Sequence, residues 1–293
     1  DYPLLTQFSD EGLKLHRVSE KQRPPRRDVT INLRKLPGAY PDAGLVDALI
    51  QAAESGARAV VIVNVVADAQ RLARELRSRT DRPVDLFHSR FRFRDRQVRE
   101  GEILEQYHPE KAGRGRILVA TQVVEQSLDL DFDWMVTQLC PGDLLFQRLG
   151  RLHRHALPRP DGFETPRCLV LLPEEADFGL HGKIYGDLRA LWRTRQRLEA
   201  VDGCIGFPDA YRDWIESVYA EEPWPTEPES IQKAFCKFWG EQSAARTCAR
   251  QAVNEYRNPF DDNDLHVRAL TRDAEQSISL VPVRAGVESI VLL

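Results

Sequence analysis

Ala59-Val-Val-Ile-Val63 is an unbroken apolar run followed by Asn64, after which Ala69, Leu72, Ala73 and Leu76 recur at helical spacing. The run is too short for a helix and lacks polar alternation, so it reads as a strand buried on both faces. The same alternation continues in both directions. Upstream, Val29-Thr-Ile-Asn-Leu33 is a strand candidate, and Leu45 to Ala53 carries a helical pattern that Gly56 ends as a C-terminal cap. Downstream, Val84 to Phe87 and Ile117 to Ala120 flank a charged helical segment over roughly Asp95 to Gln106. Met135-Val-Thr-Gln138 and Cys168-Leu-Val-Leu-Leu172 are two further strands. Strand and helix in alternation predict an α/β fold, a parallel sheet with helices on both faces. Ligands of such sheets bind beyond the carboxyl ends of the strands.

The 293 residues, 42% apolar and 29% charged, exclude a disordered or fibrous chain and suffice for one large domain or two smaller ones. The formal charge of -4 announces neither a nucleic-acid nor an anionic-membrane partner. Only seven of the 41 basic residues are lysines, which leaves 34 arginines, a bias that either phosphate recognition or a GC-rich genome produces. Five cysteines without a C-x-x-C pair argue against a disulfide scaffold or zinc site and for a reducing cytoplasm. No apolar run approaches membrane-spanning length, and no secretory signal pattern opens the chain. Asp1 at the start and the unturned apolar run Ser289-Ile-Val-Leu-Leu293 at the end suggest a piece of a longer protein.

Lys21-Gln-Arg-Pro-Pro-Arg-Arg27 reads as an exposed connector. Past Pro173, Ile184 to Val201 reads as one helix with Arg189, Arg193, Arg195 and Arg197 on its other face, closed by Gly203. The remainder, with Trp214, Trp224, Trp239 and a proline-rich break at Glu221 to Glu229, reads as a smaller separate element.

The residues after the strands carry the chemistry. Asn64 either caps a helix or contacts a ligand. His88-Ser-Arg-Phe-Arg-Phe-Arg-Asp-Arg96 opens a stretch with five arginines between positions 90 and 99, interleaved with Phe91 and Phe93, a composition suited to phosphates and bases and equally to a solvated helix start. Thr121-Gln-Val-Val-Glu-Gln-Ser-Leu-Asp129 follows its strand with hydroxyls and amides that suit a phosphate, or with a plain capping turn; Asp129 and Asp131 either position water or a ribose hydroxyl or stay solvated. In Pro141-Gly-Asp-Leu-Leu-Phe-Gln-Arg-Leu-Gly-Arg-Leu-His-Arg154, helical spacing sets Leu145, Leu149 and Leu152 on one side and Gln147, Arg151 and Arg154 on another. Two guanidiniums beside a glutamine suit a transferring phosphoryl group. Gly150 inside such a helix costs about 1 kcal/mol relative to alanine, which points to a close backbone approach.

Q-x-x-G-R-x-x-R after A-T-Q-x-x-E-Q-S-L-D resembles motifs V and VI of superfamily 2 helicases. The fuller text, Ile117-Leu-Val-Ala-Thr-Gln-Val-Val-Glu-Gln-Ser-Leu-Asp-Leu-Asp-Phe-Asp133 running into Leu144-Leu-Phe-Gln-Arg-Leu-Gly-Arg-Leu-His-Arg-His155, resembles the helicase-nuclease of type I CRISPR systems, most like the type I-E branch. Fainter matches extend through Tyr185 to Arg197, Phe207-Pro-Asp-Ala-Tyr-Arg212 and Ala269-Leu-Thr-Arg272. The resemblance implies a connector over 1–27, a second RecA-like domain over 28–175, a linker helix over 176–205 and a small, partly truncated accessory domain over 206–293. By position, Arg151 and Arg154 would contact the γ-phosphate of ATP, with Gln147 orienting the nucleotide site. Gln126, Asp129 and Gly150 would complete the ATP side, Gln126 and Asp129 coupling it to DNA. Single-stranded DNA would meet His88, Ser89, Arg90, Thr121 and Asn64.

The family's other motifs are absent from the sequence. It has no G-x-x-x-x-G-K-[ST] loop and no D-E-x-H box, and none of its seven histidines precedes an aspartate. The expectation is therefore the C-terminal helicase part of an ATP-dependent single-stranded-DNA translocase and nuclease of CRISPR interference, inactive by itself. ATP and Mg²⁺ would bind the complete enzyme, and the nuclease metal ions a domain outside this chain; no tightly bound cofactor or metal is expected here. Expected partners are single-stranded DNA, the surveillance complex (Cascade), the first RecA-like and nuclease domains and a viral inhibitor, with no membrane. The alternative is a non-catalytic module that binds DNA or protein.

Overall fold

The computed structural model describes residues 4–9, 12–17, 24–109, 115–125, 128–175 and 178–254. They fall into two units, one reaching Ala234 and one starting at Phe235.

In the first unit β1 (Leu4–Ser9) and β2 (Gly12–Arg17) form an antiparallel pair. The main sheet contains β3 (Arg27–Leu36), β4 (Arg58–Ile62), β5 (Val84–Phe87), β6 (Arg116–Ala120), β7 (Trp134–Gln138), β8 (Arg167–Pro173) and β9 (Cys204–Phe207). Their order is β5-β6-β4-β7-β8-β3-β9, and every pairing is parallel except that of β9 with β3. The helices are α1 (Ala43–Glu54), α2 (Val66–Arg79), α3 (Phe93–Gln106), α4 (Gly142–Leu149), α5 (Gly179–Tyr185), α6 (Leu188–Ala200), α7 (Ala210–Val218) and α8 (Glu229–Asn254).

The decisive run behaves as expected, because β4 is buried along its whole length. Val60 and Ile62 enter one core with Leu145 and Leu149 of α4 and Leu191 and Leu198 of α6. Ala59 and Val61 enter the other with α1 and α2. Period-two alternation thus feeds two cores from one apolar run, which is why the central strand has no polar face. Asp42 caps α1, its carboxylate accepting the Leu45 N–H at 2.8 Å.

Three expectations are corrected. The helix drawn through Arg154 ends at Leu149, with Gly150 as its C-cap, and Leu152 is buried through a bridge to Phe132 instead. The helix from Ile184 to Val201 is two helices, broken at Gly186 (φ +72°) and restarted by the Asp187 carboxylate, which accepts the Ala190 N–H at 2.9 Å. Of the arginines on its other face, Arg189 and Arg193 are buried and bind Glu227 at 2.7 and 2.9 Å. The connector is also partly structured, since Arg27 already belongs to β3 and residues 4–17 hold two strands.

The boundary expected between 205 and 206 lies within β9, which extends the main sheet, and α7 packs on the same unit through Trp214. In the second unit Phe235 and Trp239 stack at 6.0 Å between ring centres. Gln126 and the run 289–293 lie outside the described residues.

Candidate nucleotide and nucleic-acid interface

The carboxyl ends of β4, β5, β6 and β7 converge on one edge of the sheet, and the connections leaving them carry the expected site residues. β4 leads into Asn64, β5 into His88, β6 into Thr121, and β7 through Cys140 into α4. Asn64, His88 and Thr121 are buried, while Ser89 and Arg90 are exposed. The three side chains that the resemblance sets on the DNA side are thus enclosed by the fold itself. The Asn64 amide is used within the fold: Nδ2 donates to the Leu139 carbonyl at 2.8 Å, and Oδ1 accepts from the Tyr185 hydroxyl at 2.7 Å. His88 stacks on Phe91 with ring centres 4.2 Å apart, and its Nδ1 accepts the Arg90 N–H at 3.2 Å. Burial, with Arg90 adding to it, lowers the pKa of His88, so the neutral ring holds the turn that presents Arg90.

Although no single helix carries them, Gln147, Gly150, Arg151 and Arg154 line one hollow of about 350 Å³, with Asp143, Phe146, Tyr211 and Ile215. Gly150 ends α4; a Cβ there would stand 3.3 Å from the Gln147 carbonyl oxygen and 3.4 Å from that of Phe146, so the tight approach is to the helix's own last turn. The loop that follows is pinned by Phe132, whose N–H donates to Arg151 O and whose carbonyl accepts the His153 N–H, both at 3.0 Å. Arg151 is half-buried, and its pKa is lowered by burial and by the Arg154 guanidinium, so two like charges share one rim. Arg154 is exposed and pairs with Asp129 at 2.7 Å; Asp129 also meets His155 at 3.1 Å.

Sequence reading missed Arg148. Fully buried beside the exposed Gln147, it binds Glu125 at 2.6 Å, the Thr137 hydroxyl at 2.6 Å and the Tyr185 hydroxyl at 2.8 Å. It ties α4 to the turn after β6 (Gln122–Glu125), to the end of β7 and to α5. Burial alone would disfavour this charge, yet the surrounding acidic and polar groups hold its pKa above the usual arginine value. Asp131 is likewise no solvated group: it is buried and bound by Arg159 at 2.9 Å, next to Asp133 and Arg58.

Residues 55–157 match the family model described as CRISPR-associated nuclease/helicase Cas3, C-terminal. Over 270 residues the chain is 43% identical to the CRISPR-associated endonuclease/helicase Cas3 of Escherichia coli (strain K12), a match covering 89% of this chain and 30% of that relative. The chain belongs to the C-terminal part of the Cas3 family. Solved structures agree. The T. fusca Cas3-ATP structure superposes with a TM-score of 0.73 at 28% identity, covering 86% of this chain and 30% of that one. A chain of a CRISPR RNA-guided surveillance complex, pre-nicking, superposes with a TM-score of 0.63 at 31% identity, covering 78% of this chain and 28% of that one. The chain thus spans about 30% of the length of these Cas3 relatives. The matched region 55–157 contains every expected site residue, from Asn64 to Arg154.

Proposed function

We propose that this chain supplies the second RecA-like half of an ATP-dependent single-stranded-DNA translocase of CRISPR interference, with Arg151 and Arg154 as its arginine fingers. The observation that carries the reading is the shared hollow of Gln147, Gly150, Arg151 and Arg154. Its donor set suits the phosphate end of ATP, whereas Mg²⁺ would need the loop and acidic box that this sequence lacks. ATP supplies the phosphoryl transfer that drives movement. The two guanidiniums would stabilise charge on the transferring group, and Gln147 would orient it through its amide. Arg154 is free to serve because its pair with Asp129 is 39% and 52% exposed, and such pairs are worth about 0–1 kcal/mol. Ser89, Arg90 and the arginines of α3 would track the phosphates of the strand.

The matching structures support the partners: one is a T. fusca Cas3-ATP structure and another belongs to a CRISPR RNA-guided surveillance complex. A chimera in which this chain replaces the matched 270 residues of the E. coli relative tests the proposal. It should hydrolyse ATP on addition of single-stranded DNA. A folded chimera without DNA-stimulated turnover would count against it.

A further inference from the structure

Arg27 stands at the end of the basic stretch read as a connector, yet the alternation of β3 puts it on the same face as Val29 and Ile31, toward α4. Its guanidinium reaches 122 and 125 residues along the chain: Nη2 donates to Leu149 O at 3.0 Å and Nη1 to Leu152 O at 2.8 Å. We infer that Arg27 is a positioning residue, whose fork fixes the Gly150–His155 loop and so the placement of Arg151 and Arg154. The inference rests on the proposed role of that pair.

The two carbonyls bracket Gly150 and Arg151, so the fork spans the stretch in which α4 stops and the rim begins. Leu149 O, which also accepts the Leu152 N–H at 3.1 Å, carries the partial negative charge of the end of α4, and the guanidinium neutralises it while binding Leu152 O in the loop beyond. Phe132 holds the loop through hydrogen bonds to Arg151 and His153. Between the two arginines, His153 adopts φ +47°, a left-handed conformation that costs a non-glycine residue roughly 1–2 kcal/mol and persists only under restraint. Arg27 and Phe132 supply that restraint. Phe207, paired with Arg27 across β3 and β9, fixes the clamp in turn, its ring centre lying 5.8 Å from the guanidinium carbon. A lysine is a point donor and cannot hold both carbonyls in one plane.

The test uses the E. coli chimera carrying Arg27→Met or Arg27→Lys, with kcat expressed per folded protein. Misplacement of the fingers predicts a DNA-stimulated kcat roughly 10- to 100-fold lower for Arg27→Met and an intermediate loss for Arg27→Lys, at a KM for ATP within about twofold. The preference for ADP–aluminium fluoride over ADP should fall in parallel, which a loss of folded protein alone would not produce. In an Arg154→Ala background, Arg27→Lys should cost little further. Full kcat in folded Arg27→Met or in Arg27→Lys, or strict additivity with Arg154→Ala, overturns the positioning role. Wild-type turnover of Arg151→Ala and Arg154→Ala would instead overturn the reading of the pair, and the role of Arg27 with it.

Discussion

Arg148 and Glu125 form an ion pair of 2.6 Å in which the guanidinium is wholly buried and the carboxylate 8% exposed. Each charge was removed from water, and each compensates the other. Taking away one partner strands the other in a low-dielectric site, a loss of about 3–5 kcal/mol in comparable buried pairs. Arg148→Met should therefore lower the urea midpoint far more than an exposed substitution such as Arg212→Ala, whose pair with Glu216 is 52% and 61% exposed. Equal midpoints for the two variants would show that the pair does not support the fold.

Asp131 makes a parallel case on the other side of the motif loop. Its carboxylate accepts from both terminal nitrogens of Arg159, at 2.9 and 3.1 Å, and from the His155 N–H at 3.0 Å. Asp131→Ala should destabilise the chain by about 3–5 kcal/mol in denaturant titration, because Arg159 and Arg58 stay behind. Asp129→Ala, which removes a half-exposed carboxylate, should cost about 1 kcal/mol or less. A reversed order would return Asp131 to the solvated surface.

Acid should weaken the fold through two histidines. Burial lowers the pKa of His88, and burial with the Arg159 charge lowers that of His153, so both are held below the unfolded value of about 6.5. The unfolded chain then binds more protons, and stability falls as pH drops from about 6.5 toward the folded values. Glu125 and Asp187, raised by burial, act in the opposite sense, so the informative comparison is with variants. Unfolding midpoints at pH 7.5 and 5.5 should differ less in His88→Gln and His153→Gln than in the parent. An unchanged difference would show that neither ring resists protonation.

Single-stranded DNA should bind the chain itself in a salt-sensitive way. Arg90 is exposed beside the His88–Phe91 stack, and each lost phosphate contact reduces the slope of log K against log salt by about 0.7. Titration of labelled oligonucleotide at two salt concentrations should show that reduction for Arg90→Ala and none for Arg212→Ala. Salt-independent binding, or none, would remove the DNA surface from both the helicase reading and its binding-module alternative.

The strands were legible because a buried parallel sheet demands continuous apolar runs, and Ala59 to Val63 or Ile117 to Ala120 admit little else. The arginines were harder to place. Leu152 fits the helical spacing after Leu145 and Leu149, so local pattern extended α4 past Leu149 to Arg154, five residues too far; the burial of Leu152 comes instead from pairing with Phe132, twenty positions earlier. Arg148, Arg189 and Arg193 look like solvated side chains because their acceptors, Glu125 and Glu227, lie 23 to 38 residues away. Spacing reveals which residues share a face, and not which distant carboxylate neutralises a charge. Arg27 reads as an exposed connector residue because its acceptors, the carbonyls of Leu149 and Leu152, lie 122 and 125 residues away.

The placement of Arg151 and Arg154 at one hollow is tested most directly in the E. coli chimera. DNA-stimulated ATP hydrolysis should fall roughly 1,000-fold in Arg151→Ala and Arg154→Ala, in line with the loss of an arginine finger, while nucleotide and DNA affinities stay near those of the parent. Wild-type turnover in both variants would contradict the assignment.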